Sequence, residues 1–218
     1  MFVSQTPVTI NSDQKGASMH DLELFRMLLQ PHFLFNSLNN LYSLSVQQSE
    51  KTSDAIAGLS ELLEKVVEYS RMEVIPLQKE VELIWDFIEL EKIWLGETRF
   101  CMDFHIHGSP EDVTVPPLVL YTFVENCFKH GIRKCPGNGW VTLHLECREG
   151  KLWFITRNAV PDTCDNPAET GHRSGLGLDA ALQVLESRYP GSYKLITRQK
   201  GSVYAVDLRI DLPVSRDG

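Results

Sequence analysis

The chain has 218 residues, about one and a half domains at roughly 150 residues each, which leaves room for one ordinary domain and a helical appendage and excludes a large multidomain enzyme. With 21 Lys and Arg against 29 Asp and Glu the net charge is −8, which argues against nucleic acid as the main partner, because a phosphate backbone needs a positive surface. Cys101, Cys127, Cys135, Cys147 and Cys164 are scattered without a C-x-x-C pair, so neither a disulfide framework nor a zinc site is expected, and a reducing compartment is. No run of about 18 apolar residues is present, and residues 1–18 lack the apolar core of a signal peptide and read as a flexible leader.

From about residue 19 to 97 the pattern is helical. A first helix is expected over Leu22 to Leu44, with apolar spacing from Phe25, Leu28, Leu29 and Phe33, and with Pro31 kinking or restarting it. A second follows Ser53 and Asp54 and carries Ile56, Leu59, Leu63 and Val66. The short polar link between them, Gln47 to Thr52, predicts an antiparallel hairpin whose apolar stripe a second copy can cover, giving a four-helix bundle. Glu73 to Pro76 breaks the pattern, and Val81, Ile84, Trp85 and Ile88 mark a third helix. Its charged residues Lys79, Glu80, Asp86 and Glu89 are expected on a solvated face. Beyond it, strands are predicted at Phe100–His107, Trp140–Cys147, Lys151–Thr156, Tyr193–Arg198 and Val203–Leu212, with helices at Leu118–His130 and Leu178–Tyr189. Helices set among mostly adjacent strands predict an α+β layer rather than a doubly wound sheet.

Three places carry chemistry. On the helix PLVLYTFVENCFKHG, Glu125, Asn126, Lys129 and His130 fall within an arc of about 140°, opposite Leu120, Tyr121, Val124, Cys127 and Phe128. A carboxamide oxygen is a neutral hard ligand of the kind Mg²⁺ takes. The neighbouring carboxylate can orient a metal-bound water or accept a proton, and Lys129 can set a positive charge near phosphate. The alternative is a solvated helix face. In TGHRSGLGL, Gly171, Gly175 and Gly177 precede a helix, where backbone N–H groups and the helix terminus favour an anion; the alternative is a plain flexible loop. The loop Ala159 to Ser174 before it suits a mobile lid. Finally, His32 shares a helical face with Leu28, Leu29, Asn36 and Asn39, as either a satisfied core histidine or an imidazole nucleophile oriented by amides. His105 and His107 form a weaker H-x-H pair on one strand face, without a third ligand nearby in sequence.

These stretches together resemble a known family. QPHFLFNSLN, from Gln30 to Asn39, resembles the phosphoacceptor box of LytS/YehU-type sensor histidine kinases. VPPLVLYTFVENCFKHGI, from Val115 to Ile132, resembles their N box, and SGLGLDAALQVLESRYP, from Ser174 to Pro190, their G box and following helix. The resemblance implies an α+β fold: a dimerising helical hairpin followed by a GHKL-type α/β sandwich with a mixed sheet. It divides the chain into a leader (1–18), a dimerisation and phosphotransfer hairpin (19–72), an ATP-binding catalytic domain (73–213) and a tail (214–218). His32 is the implied phosphorylated residue, and Glu125, next to Asn126, is the second implied catalytic group. Asn126 is the implied Mg²⁺ ligand on the ATP phosphates, accompanied by Lys129, His130 and Asn158, with Gly175 and Gly177 flanking the phosphate-binding lid. The implied reaction moves the ATP γ-phosphoryl to a histidine nitrogen and on to an aspartate of a response regulator. The implied partners are a second copy and a response regulator. The resemblance also implies membrane contact only through an N-terminal region outside this sequence, with the chain expected to be the cytoplasmic part of a longer sensor.

The sequence also departs from the family pattern. Most GHKL ATPases carry Asp-x-Gly-x-Gly where this chain has Thr156-Arg157-Asn158-Ala159-Val160, leaving Asn158 as the one amide acceptor there. Ala180 stands for the Asn after the G box, Val184 for a basic residue, Tyr121 for the usual Gln of the N-box helix, and Leu28 for the Gln before the phosphoacceptor. These departures motivate an alternative, a non-catalytic dimeric signalling module with a degenerate nucleotide site.

Overall fold

The computed structural model describes residues 31–96, 98–135, 137–161 and 176–212. The leader, the part of the first helix before Pro31, most of the Ala159–Ser174 loop, Gly175, Cys164, His20, His172 and the tail lie outside the described residues.

Helix α1 (Pro31–Val46) and helix α2 (Thr52–Tyr69) form the expected hairpin. Proline suits the first helical position, where its missing N–H has no intrahelical use. Two stripes run along α1. Phe33 and Leu41 pack against the core with fully buried Ser37 between them, whereas Phe35, Leu38, Tyr42 and Val46 lie on the opposite side, 51–72% exposed. In α2 the buried residues Ala55, Leu59, Leu62, Val66 and Tyr69 keep helical spacing. All but Ala55 join the same apolar core as the sheet. Lys65 crosses from α2 to Asp86 at 2.6 Å.

Helix α3 (Leu77–Leu95) follows a two-residue strand β1 (Ile75–Pro76), which pairs antiparallel with β3 (Thr114–Val115). The expectation of a solvated charged face on α3 is corrected at one residue. Glu80 is fully buried, while Lys79 and Asp86 are half-buried and Glu89 is exposed. At 100° per residue Glu80 falls within the arc set by Leu77, Ile84 and Phe87, so helix geometry turns it inward.

Five strands build the main sheet: β2 (Phe100–Gly108), β4 (Gly139–Arg148), β5 (Lys151–Ala159), β6 (Tyr193–Lys200) and β7 (Val203–Asp211), in the order β2-β4-β5-β7-β6. β2 and β4 run parallel, from Phe100 opposite Gly139 to Gly108 opposite Cys147, and the remaining pairs are antiparallel. The sheet is therefore mixed. Alternation assigns one face to the core: Val141, Leu143 and Leu145 on β4, Leu152 and Phe154 on β5, and Val206, Leu208 and Ile210 on β7. Helices α3, α4 (Val119–Asn126) and α5 (Leu176–Arg188) contribute the facing residues of that core, completing the two-layer sandwich. Phe87, Tyr121, Phe128 and Phe100 link the layers through edge-to-face pairs 5.1–5.3 Å apart.

The helix expected over Leu118–His130 differs in kind. It is α-helical only to Asn126, continues as a π turn over Cys127–Gly131 and ends in a 3₁₀ turn, Ile132–Lys134. A π turn takes in an extra residue and is uncommon away from functional sites.

Candidate functional site

The polar helix starts without a cap of its own. Pro116 and Pro117 precede it, and Leu118 at its N-cap adopts φ +68° with no side-chain cap. Glu80 supplies the missing acceptor. Its Oε2 accepts the Leu118 N–H at 2.7 Å and its Oε1 the Tyr121 N–H at 3.0 Å. A carboxylate at a helix N-terminus satisfies orphan donors and opposes the positive end of the dipole. Burial still pushes the Glu80 carboxyl up to about 7, against the lowering effect of these backbone donors.

At the other end, Glu125 and Asn126 are half-buried in the last α turn. Burial raises the Glu125 carboxyl above its usual range, opposed by the charges of Lys129 and Arg133. Lys129 is half-buried and His130 exposed, with Lys134 Nζ 3.4 Å from His130 Nδ1. The Cys127 thiol points inward, donates to the Phe123 carbonyl at 3.2 Å, and is pushed up to about 12 by burial. The π turn thus keeps Cys127 and Phe128 in the core while the polar group stays on the outer arc.

Gly131 closes the E-N-x-x-x-H-G string and abuts the end of β5. A Cβ there would lie 2.0 Å from Asn158 Nδ2 and 2.5 Å from the Ala159 carbonyl oxygen. Only glycine admits that approach. Asn158 is 1% exposed, and its Nδ2 donates to the Ala159 carbonyl at 3.0 Å. Its Oδ1 is buried and has no partner among the described residues. Helix α5 packs beside α4, with Gly177 buried in its first turn. The structure therefore gathers Glu125, Lys129, Gly131 and Asn158 around one helix end. His32 lies on α1, and its side chain is outside the described residues. On the far side of the sheet His107 meets His144, ring centroids 5.3 Å apart. Among the described residues no group of three or more His, Cys, Asp and Glu is arranged to hold a metal.

Two further groups, Arg133 and Glu91, were not singled out from sequence. Arg133 Nε donates to Glu91 Oε2 at 3.2 Å and its Nη2 to Oε1, while Glu91 is 1% exposed. The signal was available for Glu91: eleven residues beyond Glu80 on α3, it returns to within about 20° of the same apolar arc. For Arg133 no local pattern announces a partner on another helix.

A family model for histidine kinases matches residues 20–100, which include the His32 segment. Sensor protein LytS of Staphylococcus haemolyticus is 30% identical over 188 residues, covering 84% of this chain and 32% of that protein. Over this stretch the chain is similar to LytS-type sensor histidine kinases. Sensor histidine kinase YpdA of Escherichia coli is 32% identical over 134 residues, covering 60% of this chain and 23% of that kinase. The chain spans about a third of the length of the LytS relatives it matches. The solved histidine kinase domain of a blue-light activated histidine kinase from Erythrobacter litoralis is 17% identical, with a TM-score of 0.49, covering 88% of this chain and 94% of that one.

Two of the departures from the family pattern have a packing explanation. Tyr121 is a core residue set edge-to-face on Phe87 at 5.3 Å, and Val184 is 3% exposed beside Ala181 and Leu185. Apolar burial has taken over both positions. The Asn158 end of β5 fits an adenine nucleotide in one respect: its Oδ1 is an acceptor with no partner among the described residues.

Proposed function

We propose that the chain is the catalytic core of a sensor histidine kinase, which moves the γ-phosphoryl of ATP to a nitrogen of His32 and from there to an aspartate of a response regulator. In the first step the bond from the γ-phosphorus to the β,γ-bridging oxygen breaks, a nitrogen–phosphorus bond forms, and ADP leaves. The observation that carries this reading is the junction of Gly131 with Asn158. It brings the end of the N-box turn against a strand end where the buried Asn158 Oδ1 has no partner among the described residues, which favours an acceptor for a base at that end. Asn126 is assigned as the oxygen ligand of Mg²⁺, which accepts one carboxamide among phosphates and waters. When held there, the ion would supply charge neutralisation at the phosphates. Lys129 and His130 line the same side and Gly177 opens α5, with Gly175 assigned beside it. Glu125 is assigned to orient its neighbours and accept a proton, a role favoured by a carboxyl whose proton affinity is already raised.

The partner readings rest on α1. Phe35, Leu38, Tyr42 and Val46 form an exposed apolar stripe at helical spacing, which favours a homodimer through a four-helix bundle. The hairpin spans residues 19–72 and the catalytic domain 73–213 in this reading. A response regulator is the protein substrate. The chain belongs on the cytoplasmic side of a membrane sensor; no described helix is long and apolar enough to cross a membrane.

The test is labelling with γ-³²P ATP and Mg²⁺. Acid-labile label is expected on the wild-type chain and absent from His32→Gln. A protein that binds Mg·ATP and never labels sinks the proposal. A second reading, a non-catalytic dimeric signalling module, is favoured by the Thr156–Val160 sequence, which carries Asn158 in place of an acidic base-reading residue. Calorimetry separates the two, because tight Mg·ATP binding abolished by Asn126→Ala is incompatible with a dead site.

A further inference from the structure

A chain of contacts leads from the histidine box to the end of the N-box turn through residues that the proposed chemistry leaves aside. Phe33, directly after His32, meets Trp94 near the C-terminal end of α3, with ring centroids 6.4 Å apart and planes tilted by 54°. The Arg133 guanidinium carbon lies 5.7 Å from the centroid of the same indole. Arg133 is itself held by two donors to Glu91, a buried carboxylate that cannot shed its partner cheaply. Burial raises the Glu91 carboxyl, and the Arg133 charge opposes that. Trp94 Nε1 is buried with no partner among the described residues, so ring contacts rather than a hydrogen bond place the indole.

The position of these residues gives the contact meaning. Arg133 follows Gly131 by two residues, and its charge also acts on Glu125. Phe33 stands at the His32 end of the inner stripe of α1, where Leu41 is the other apolar side chain packed against the core. The indole therefore touches both the segment that carries the acceptor histidine and the segment that closes the nucleotide-site turn.

We propose that Trp94 is a positioning residue for phosphoryl transfer: held by Arg133, its ring seats Phe33 and so fixes the histidine box beside the N-box turn. This rests on the kinase reading above. Placement of reacting groups contributes much of the rate in phosphoryl transfer, and misplacement of about 1 Å costs on the order of 100-fold. Loss of the seat therefore slows transfer without weakening nucleotide binding.

The test compares the wild-type chain with Trp94→Ala and the milder Trp94→Phe. Three readouts are taken: the labelling rate at saturating Mg·ATP, the ATP dissociation constant by calorimetry, and hydrogen exchange of the amides at 34–38. Trp94→Ala is expected to label at least tenfold more slowly, to keep its ATP affinity within about twofold, and to exchange faster at 34–38. Trp94→Phe retains a ring and recovers most of the rate. Unchanged exchange at 34–38 in Trp94→Ala overturns the seat. A labelling rate that rises, or that falls only as far as ATP affinity falls, overturns its role in transfer. If the wild-type chain binds ATP and never labels, the kinase reading fails, and the exchange comparison still decides whether Trp94 seats the helix.

Discussion

Glu80 on α3 accepts the backbone N–H of Leu118, 38 positions along the chain, at 2.7 Å. The start of the helix that carries Glu125 and Asn126 is thus tied to another helix through a buried carboxylate rather than through a cap of its own. Replacing Glu80 by Ala leaves the Leu118 and Tyr121 donors buried without an acceptor. Loss of about 2–4 kcal/mol of stability is expected by denaturant unfolding, at about 1–3 kcal/mol per orphaned group with partial relaxation. Glu80→Gln must present an NH₂ where one N–H already points, and should cost about 1–3 kcal/mol.

The same carboxyl gives a pH dependence with a definite sign. Its folded value of about 7 lies above the ordinary 4.5, so the folded protein holds the proton more tightly than the unfolded chain. The contribution is full below about pH 4.5 and is lost as pH rises through about 7, worth about 3 kcal/mol over that window. Chemical unfolding from pH 5 to 8 should show this slope in the wild-type chain and a flatter one in Glu80→Gln. Identical slopes refute the assignment.

Gly131 and Gly139 offer a paired test of the site wall. Alanine at 131 drives a methyl into Asn158 Nδ2 and the Ala159 backbone, whereas alanine at 139 meets the Ile132 Cδ1 methyl at 2.7 Å, which can rotate aside. Gly131→Ala should therefore lose about 1–3 kcal/mol and most of its ATP affinity, and Gly139→Ala much less of either. Thermal melts and calorimetry read both, and equal effects would contradict the close approach.

Arg133→Ala strands Glu91 in the core. A penalty of about 3–5 kcal/mol is expected, and Glu91→Leu combined with Arg133→Met should recover most of it, since a well-packed apolar pair is close to neutral against a buried ion pair. If the double variant is as unstable as the single one, the cost lies elsewhere than in the unpaired charge.

The outer stripe of α1 predicts the assembly. Leu38→Glu with Tyr42→Lys should convert a dimer to a monomer in sedimentation equilibrium and leave the thermal melt of the sheet domain within about 3 °C, because both side chains are exposed in the single chain. A wild-type chain that sediments as a monomer at tens of micromolar removes the four-helix reading.

The strands were legible because alternation survives in them. Gly139, Val141, Leu143, Leu145 and Cys147 of β4 face one way, and the sequence shows it directly. Helices α2 and α3 were legible from spacing, and the break between them from Glu73 to Pro76. The polar arc of Glu125 to His130 was also readable, but the π turn beneath it was not, because no residue type forces an extra residue into a turn. The charge of Glu80 points to solvent, whereas its phase on the helix puts it among Leu77, Ile84 and Phe87, and phase decides. The joining of Gly131 to Asn158 depends on where α4 crosses β5, which no local pattern encodes.

Tyr121 and Val184 bear on how this chain could change with time. Both differ from the polar groups of the family pattern that the sequence resembles, and both are set in the core, Tyr121 against Phe87 and Val184 beside Leu185. A single return to glutamine or lysine would bury an unpaired polar group and open a void together, a loss large against the total stability of a domain. Neighbouring side chains would have to change first. The packing therefore acts as a ratchet, and the chain has a restricted set of routes by which polar groups could enter these two positions.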